Sequence, residues 1–346
     1  MSKEFSCDFI FGEKIGDIKE MDYRKLPGFI ARVKRIFLFG RFSYEEKVYR
    51  LIKEGNYSTL IISESYYSVT FWMILFNSYF SKRKVIIWGH GSYGKEHFIV
   101  KLLKKIALSL SEYYFLYGHY AKESILKNRI ATENKLVVIY NSLDYETQFN
   151  LRNKIIKTST YSNRFKNDFK NLIFIGRLTS IKRLDILLNA LSLLLKSGNK
   201  MNLIIIGDGE MRSSLEKLVI NLEINEFVWF YGPCYNEEPL AELIYNSDLC
   251  VSPGNVGLTA IHSMMYGTPV CTHNSYMYQM PEYEAIIDGE TGCFFKKDDL
   301  LSLTDNILNW INTSPEREIV RRKCYKVVDE KYNPNVQIEI MKRVLN

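Results

Sequence analysis

The chain has 346 residues, 47% of them hydrophobic, and 46 Lys+Arg against 39 Asp+Glu give a formal net charge of +7. This length and apolar content suit two cores of ordinary size and exclude a disordered chain. The six cysteines form no C-x-x-C pair and no metal-ligand spacing, so they read as reduced thiols of a cytosolic protein, not as a disulfide framework or a zinc site.

No run of ~18 uninterrupted apolar residues occurs and no apolar segment follows a basic start, so a soluble protein is expected. The charge is unevenly spread. Residues 1–170 hold 29 Lys+Arg against 17 Asp+Glu, whereas 171–346 hold 17 against 22. A basic first half suits an anionic membrane or an anionic acceptor. Nucleic acid is set aside, because the basic residues are not interleaved with aromatics as in any nucleic-acid module.

In chain order, the first strand candidate is 9–11, closed by Gly12 and followed by EKIGDIKEMDYRKLPG. Alternating elements follow, as in a doubly wound domain: strand 36–39, helix 44–53, strand 60–62, an aromatic helix 66–80 and strand 84–88. Gly89, His90 and Gly91 close that last strand, and the carboxyl ends of parallel strands are where open α/β sheets hold ligands. His90 is therefore either a ligand-facing side chain or a structural histidine.

The next helix, 94–112, reads as two-faced, with Lys101, Lys104 and Lys105 on one side and Ile99, Leu102, Leu103 and Ile106 on the other. Its basic side is either an ordinary solvated face or a lipid-docking face, each Lys adding about 1 kcal/mol near an anionic surface. Strand 113–116, helix 120–127 and strand 136–140 complete the first half, ending in Asn141. Residues 145–170 are polar and aperiodic and read as an interdomain linker.

In the second half, strand 172–175 runs into Gly176, Arg177 and Lys182 ahead of a long helix. MNLIIIGDGEMRSSLEKL supplies a strand ending in Gly207, Asp208 and Gly209, and further strands are expected at 228, 249 and 269. DLCVSPGNVGLTAIHSMMYGTPV, residues 248–270, gives an apolar strand, a loop over 252–257 and helical spacing over 258–266. Gly257 stands at the helix entry, so the amides of Gly257, Leu258 and Thr259 are free donors at the positive end of the helix dipole, where an anion fits. The alternative is an ordinary βα turn. Helices near 300–311 and 315–328 lead to Pro334 and a terminal helix.

These three strand ends, together with EAIIDGETGCFF (284–295), resemble glycosyltransferase family 4 in order and spacing, over 171 to about 312. The resemblance implies the GT-B fold: an α/β chain of two Rossmann-like doubly wound domains facing across a cleft. Residues 1–155 would be the acceptor-side domain and 156–346 the nucleotide-sugar domain, with a terminal helix at about 333–346 packing back on the first. Residues 9–12 look like the family's second strand, so the first domain is expected to lack its first one.

The activity implied is transfer of a sugar from a nucleoside-diphosphate sugar to a hydroxyl of a glycan or lipid-linked glycan, with retention of configuration, as in surface polysaccharide assembly. By the same resemblance Arg177 and Lys182 contact the diphosphate and His90 faces the transferred sugar. The donor would further meet Gly176, Gly207, Gly209, Cys234, Tyr235, Asn255, Val256, Gly257, Leu258, Thr259, His262 and Glu284. No D-x-D motif occurs, so no metal is expected, and no cofactor beyond the donor. The expected location is cytoplasmic, peripheral at the inner face of the plasma membrane.

The chain departs from the family at two positions. Family members carry two glutamates separated by seven residues; aligned on Gly257, these positions are Gly254 and His262. The second family glutamate accepts hydrogen bonds from ribose hydroxyls, and a neutral His262 could accept one through a ring nitrogen. Asn255 stands nearest the first. HNSYMYQMPEYE (273–284) is longer and more aromatic than the family's glycine-rich loop. A catalytically weakened nucleotide-sugar-binding partner subunit and a GT-B nucleotide-sugar epimerase are the alternatives.

Overall fold

The computed structural model describes residues 4–13, 22–92, 94 and 96–345. The chain divides into two compact units, Met1–Ile139 with Ile338–Asn346, and Tyr140–Gln337. The first unit therefore ends upstream of the expected boundary after residue 155. Residues 14–21 of the expected opening loop lie outside the described residues.

In the first unit the elements are β1 (Phe9–Gly12), β2 (Phe29–Val33), β3 (Arg35–Phe37), β4 (Ser43–Glu45), α1 (Val48–Glu54), β5 (Thr59–Ser63), α2 (Val69–Phe80), β6 (Lys84–Gly89), α3 (Phe98–Leu110), β7 (Tyr113–Leu116), α4 (His119–Lys127) and β8 (Leu136–Val138). The strands form three ladders where one sheet was expected: β1 with β2, β3 with β4, and a parallel sheet in the order β5-β6-β7-β8. The last is the core layer. Val85, Ile86 and Ile87 of β6 are sealed from water, and such unbroken apolar runs belong to parallel strands covered on both faces. Met341, from the segment Ile338–Asn346, packs with Ile86, Phe115 and Ile139.

Two expectations fail here for local reasons. The helix expected over 44–53 begins only at Val48. Residues Ser43–Glu45 instead pair antiparallel with β3, joined by an Arg35–Glu45 ion pair of 2.9 Å, and Lys47 at φ 67° breaks any continuity between strand and helix. The basic face of α3 is also divided. Lys104 is 2% exposed; its Nζ donates to the Gly91 carbonyl and lies 3.4 Å from Glu64 and 3.5 Å from Glu96. Helical spacing sees a lysine but not the carboxylates that let it turn inward. Phe98, Ile99, Leu102 and Ile106 are left exposed.

In the second unit the elements are α5 (Tyr145–Arg152), α6 (Thr160–Phe165), β9 (Lys170–Ile175), α7 (Leu184–Lys196), β10 (Met201–Ile206), α8 (Arg212–Asn221), β11 (Val228–Gly232), α9 (Glu237–Tyr245), β12 (Leu249–Ser252), α10 (Thr259–Met265), β13 (Val270–His273), β14 (Gly292–Phe295), α11 (Leu300–Thr313), α12 (Arg317–Lys331) and α13 (Pro334–Leu345), whose last residues belong to the first unit. Residues 145–170 are thus not a linker. Tyr161 of α6 is buried and donates to the Leu243 carbonyl at 2.9 Å, and Arg152 of α5 pairs with Asp329 at 3.0 Å. Sparse anchors among polar residues hid both helices.

The six strands form one parallel sheet in the order β11-β10-β9-β12-β13-β14. Every residue of β10 is buried. Leu184, Leu187, Leu188, Leu191 and Leu194 of α7 fall on one helical stripe and are all buried. The edge strand β14 is not among the strands expected from the sequence.

The Lys104 cluster gives a test of the first unit. Removing the lysine leaves two partly buried carboxylates without their cation, so Lys104→Ala should cost about 3 kcal/mol or more of unfolding free energy. Lys101→Ala, its neighbour on the outer surface, should cost under about 0.5 kcal/mol. Urea unfolding of both variants measures the contrast.

Candidate functional site

The strand order of the second unit is the doubly wound 3-2-1-4-5-6, with β9 in the position of strand 1. Connections from β9 and β12, its neighbour, run to opposite sides, which opens a crevice between their carboxyl ends; ligands of such sheets bind there. The loops leaving these two strands hold seven of the residues expected to bind the donor: Gly176, Arg177, Lys182, Asn255, Val256, Gly257 and Leu258.

On the β9 side, Gly176 leads to Arg177, whose side chain is exposed and has no hydrogen-bond or ion-pair partner among the described residues. Lys182 ends a single 3-10 turn, Ser180–Lys182, and is partly buried. Its Nζ donates to the Asn255 carbonyl at 2.7 Å. Burial, and secondly the charge of Arg177, push its ammonium down to about 8, while the Glu282 carboxylate acts in the opposite sense.

On the β12 side, residues 253–258 are held in place by their backbone. The Gly254 amide donates to the Lys182 carbonyl at 3.0 Å, and a Cβ at residue 254 would lie 1.9 Å from the Ile181 carbonyl oxygen. No side chain fits there. The close approach of the two loops thus excludes the glutamate that the resemblance leads one to expect at position 254. The Val256 amide donates to Gln279 Oε1 at 2.9 Å, and Gln279 Nε2 is tied in turn to Thr272 and the His273 carbonyl. Sequence reasoning missed Gln279; its only signal was the unusual length of 273–284.

Helix α10 begins at Thr259, with Gly257 at φ 55° and Leu258 as N-cap. The Thr259 hydroxyl donates to the Ile175 carbonyl at 3.0 Å, which anchors the helix to the end of β9. Among the described residues no group accepts from the amides of Gly257, Leu258 or Thr259. Asn255 Oδ1 is buried with no partner among the described residues.

Gly207 and Gly209 serve packing. At φ 142°, Gly207 lets β10 end against β9, where a Cβ would lie 1.9 Å from the Gly176 carbonyl oxygen, and the Leu178 amide bonds the Asp208 carbonyl next to Gly209. Cys234 Sγ lies 3.5 Å from the Asn236 carbonyl, and Tyr235 is exposed after β11. His262 Nε2 lies 2.8 Å from Glu237 Oε1. Glu284 accepts from the Tyr276 hydroxyl at 2.9 Å.

Sequence reasoning also missed a second glutamate, Glu282, since the family resemblance points to Glu284. It is 2% exposed, one oxygen accepts from Asn141 Nδ2 at 2.6 Å, and the other is buried without a partner. In the first unit His90 is exposed at the end of β6, its ring 5.0 Å from that of Tyr117. Gly89 and Gly91 beside it are packing positions, since a Cβ would meet Glu64 at 2.2 Å or Ala121 at 2.7 Å.

The depressed Lys182 predicts a pH signature. Its folded value, about 8, lies below the ordinary 10.5, so folding disfavours the charged form at neutral pH and this cost is relieved as pH rises from 8 toward 10.5. Wild type should therefore gain stability relative to Lys182→Met across that window, while its affinity for inorganic pyrophosphate falls. Urea unfolding at pH 7.5 and 9.5, with pyrophosphate titrations, measures both; a constant wild-type-to-variant difference would show an ordinary lysine.

Comparison with known proteins agrees with this geometry. Residues 156–327 match the family described as glycosyl transferases group 1. The capsular polysaccharide biosynthesis glycosyltransferase CapM of Staphylococcus aureus is 22% identical over 73% of this chain and 66% of its own length. An uncharacterized glycosyltransferase of Methanocaldococcus jannaschii is 33% identical over 43% of this chain and 39% of its own. The chain thus spans less than two thirds of these relatives. Among solved structures, Anabaena HepE in complex with UDP superposes with a TM-score of 0.70 at 16% identity, covering 92% of this chain and 86% of that one. The fold is the GT-B fold of these solved structures, and the likeness to glycosyl transferases group 1 covers residues 156–327.

Proposed function

We propose that the protein is a retaining glycosyltransferase that moves a sugar from a nucleoside-diphosphate sugar to a hydroxyl of a glycan or lipid-linked glycan in surface polysaccharide assembly. The observation that carries the reading is the pair Arg177 and Lys182 at the crevice between β9 and β12, one with no hydrogen-bond or ion-pair partner among the described residues and the other short of carboxylate neighbours. As the bond between the sugar's anomeric carbon and the phosphate oxygen breaks, its electron pair stays on the diphosphate. Fixed positive charge and free amides at that oxygen lower the barrier. The acceptor oxygen forms the new bond and its proton passes to the leaving phosphate, so the transfer proceeds without a metal. Solved relatives of this fold hold UDP.

The competing reading, a nucleotide-sugar-binding subunit with weak activity, draws on Gly254, where no catalytic carboxylate can stand. Thermal shift against UDP-, GDP-, dTDP- and CMP-sugars identifies the donor, since a ligand that binds only the native state raises its melting point. Turnover then separates the readings. Arg177→Ala should lower transfer by roughly two to three orders of magnitude, the scale of losing one preorganised group at developing charge, with little change in melting point because its side chain contacts no described partner. Equal turnover would overturn the mechanism, and donor binding without turnover would favour the subunit. Lys182→Met should lower transfer similarly, but also loosens the Asn255 loop.

We further propose that the first unit docks on an anionic membrane, the source of a lipid-linked acceptor. Among the described residues no helix is long and apolar enough to cross a membrane. Support comes from the outer surfaces of α2 and α3, which pack together: Phe80 is 81% exposed and Phe98 74%, with Phe76, Ile99 and Leu102 also exposed. Such apolar surface is large for a soluble face, and with Lys101 and Lys105 on the same helix it suits insertion among acidic headgroups. Phe98→Ser with Ile99→Ser should reduce sedimentation with phosphatidylglycerol vesicles at every salt concentration, whereas Lys101→Gln with Lys105→Gln should do so mainly at low salt. Equal sedimentation of all three proteins would overturn the proposal.

A further inference from the structure

Glu237 is the first residue of α9, just past the loop that leaves β11, on the same carboxyl edge of the sheet as Arg177 and Lys182. Its Oε1 takes three hydrogen bonds: from Gln148 Nε2 of α5 at 3.1 Å, from Tyr266 OH just after α10 at 2.7 Å, and from His262 Nε2 at 2.8 Å. Its Oε2 has no partner among the described residues, yet is not among the buried unpaired atoms. The carboxylate is thus held by one oxygen and open at the other, and its side chain is 27% exposed.

We propose that Glu237 binds the ribose hydroxyls of the nucleotide, doing from α9 what a glutamate at position 262 would do from α10. This rests on the reading of the protein as a nucleotide-sugar enzyme. Chemistry favours the carboxylate over the histidine. An ionised carboxylate oxygen accepts two hydrogen bonds, so Oε2 can receive both hydroxyls of a vicinal diol, whereas a neutral imidazole has one acceptor nitrogen. Nε2 of His262 faces a carboxylate and is therefore its donor, which fixes the tautomer. His262, Tyr266 and Gln148 are positioning residues. They hold one rotamer of Glu237 and favour its ionised form: burial pushes this carboxyl up, but the His262, Tyr266 and Gln148 hydrogen bonds outweigh it and leave the group below its ordinary value.

The test is calorimetric titration of wild type, Glu237→Gln, Tyr266→Phe and Arg177→Ala with UDP and 2′-deoxy-UDP, and with GDP and 2′-deoxy-GDP. Wild type should prefer one ribonucleotide over its deoxy form by roughly tenfold to a hundredfold, the range for a hydrogen bond to a charged group. In Glu237→Gln that ratio should fall to about threefold or less while affinity for the deoxy form holds, because glutamine keeps the shape and loses the charged acceptor. Tyr266→Phe, with one of three clamps gone, should give an intermediate ratio at an unchanged melting point. Arg177→Ala should weaken ribo and deoxy forms equally, as a diphosphate contact would. Wild-type discrimination that survives in Glu237→Gln, or an equal grip on ribo and deoxy forms by wild type, overturns the Glu237 assignment and leaves the proposed function standing. Failure of wild type to bind either pair overturns the Glu237 assignment, and failure to bind dTDP as well overturns the proposed function with it.

Discussion

Pairing of β9 with β10 on one side and β12 on the other is the constraint on which the second unit depends. Two parallel neighbours whose following chains diverge leave a gap at their carboxyl ends, and the backbone fills part of it. Gly207 lies against the Gly176 carbonyl and Gly254 against the Ile181 carbonyl, each too close for any side chain. The loops after β9, β10 and β12 therefore form a layer of stacked backbone. Arg177, Lys182 and the unengaged amides at 257–259 are held by that layer and owe little to side-chain packing.

Two buried or half-buried lysines show how surroundings divide one chemical group into two uses. Lys104 has Glu64 and Glu96 within 3.5 Å and a carbonyl acceptor, so its charge is neutralised inside the first unit. Lys182 has a carbonyl acceptor, a cationic neighbour in Arg177 and a partial offset from Glu282. Its charge is under-compensated, the condition in which an incoming anion gains most. Asn255 Oδ1 and Glu282 Oε2, both buried and unpaired, belong to the same neighbourhood; unpaired buried acceptors cost stability and are commonly retained where function uses them.

Two carboxylates, Glu237 and Glu282, are held near this crevice by partners on other elements. The backbone contact at Gly254 forbids one glutamate, and His262 stands where a second was expected. Glu237 comes in from α9 and Glu282 from the long loop after β13, and each is fixed by a partner remote in sequence: His262 and Gln148 for the first, Asn141 for the second.

Much of the second unit could be read directly from the chain. Strands such as β10, buried along their whole length, are unbroken apolar runs, and a glycine and a cation after β9 mark the turn that ends it. Local pattern is enough when every residue of an element meets the same environment. The fate of single side chains was not local. Lys104 turned inward because residues 64 and 96 supply carboxylates, and the helices within 145–170 formed because Tyr161 and Arg152 find Leu243 and Asp329. Likewise Glu237 was one of two adjacent acidic residues until α5 and α10 brought it three donors. Periodicity in sequence records which face of an element is apolar. Which polar group finds a partner on another element is decided only when the chain has folded, because the energy of a buried charge depends on neighbours that no local window contains.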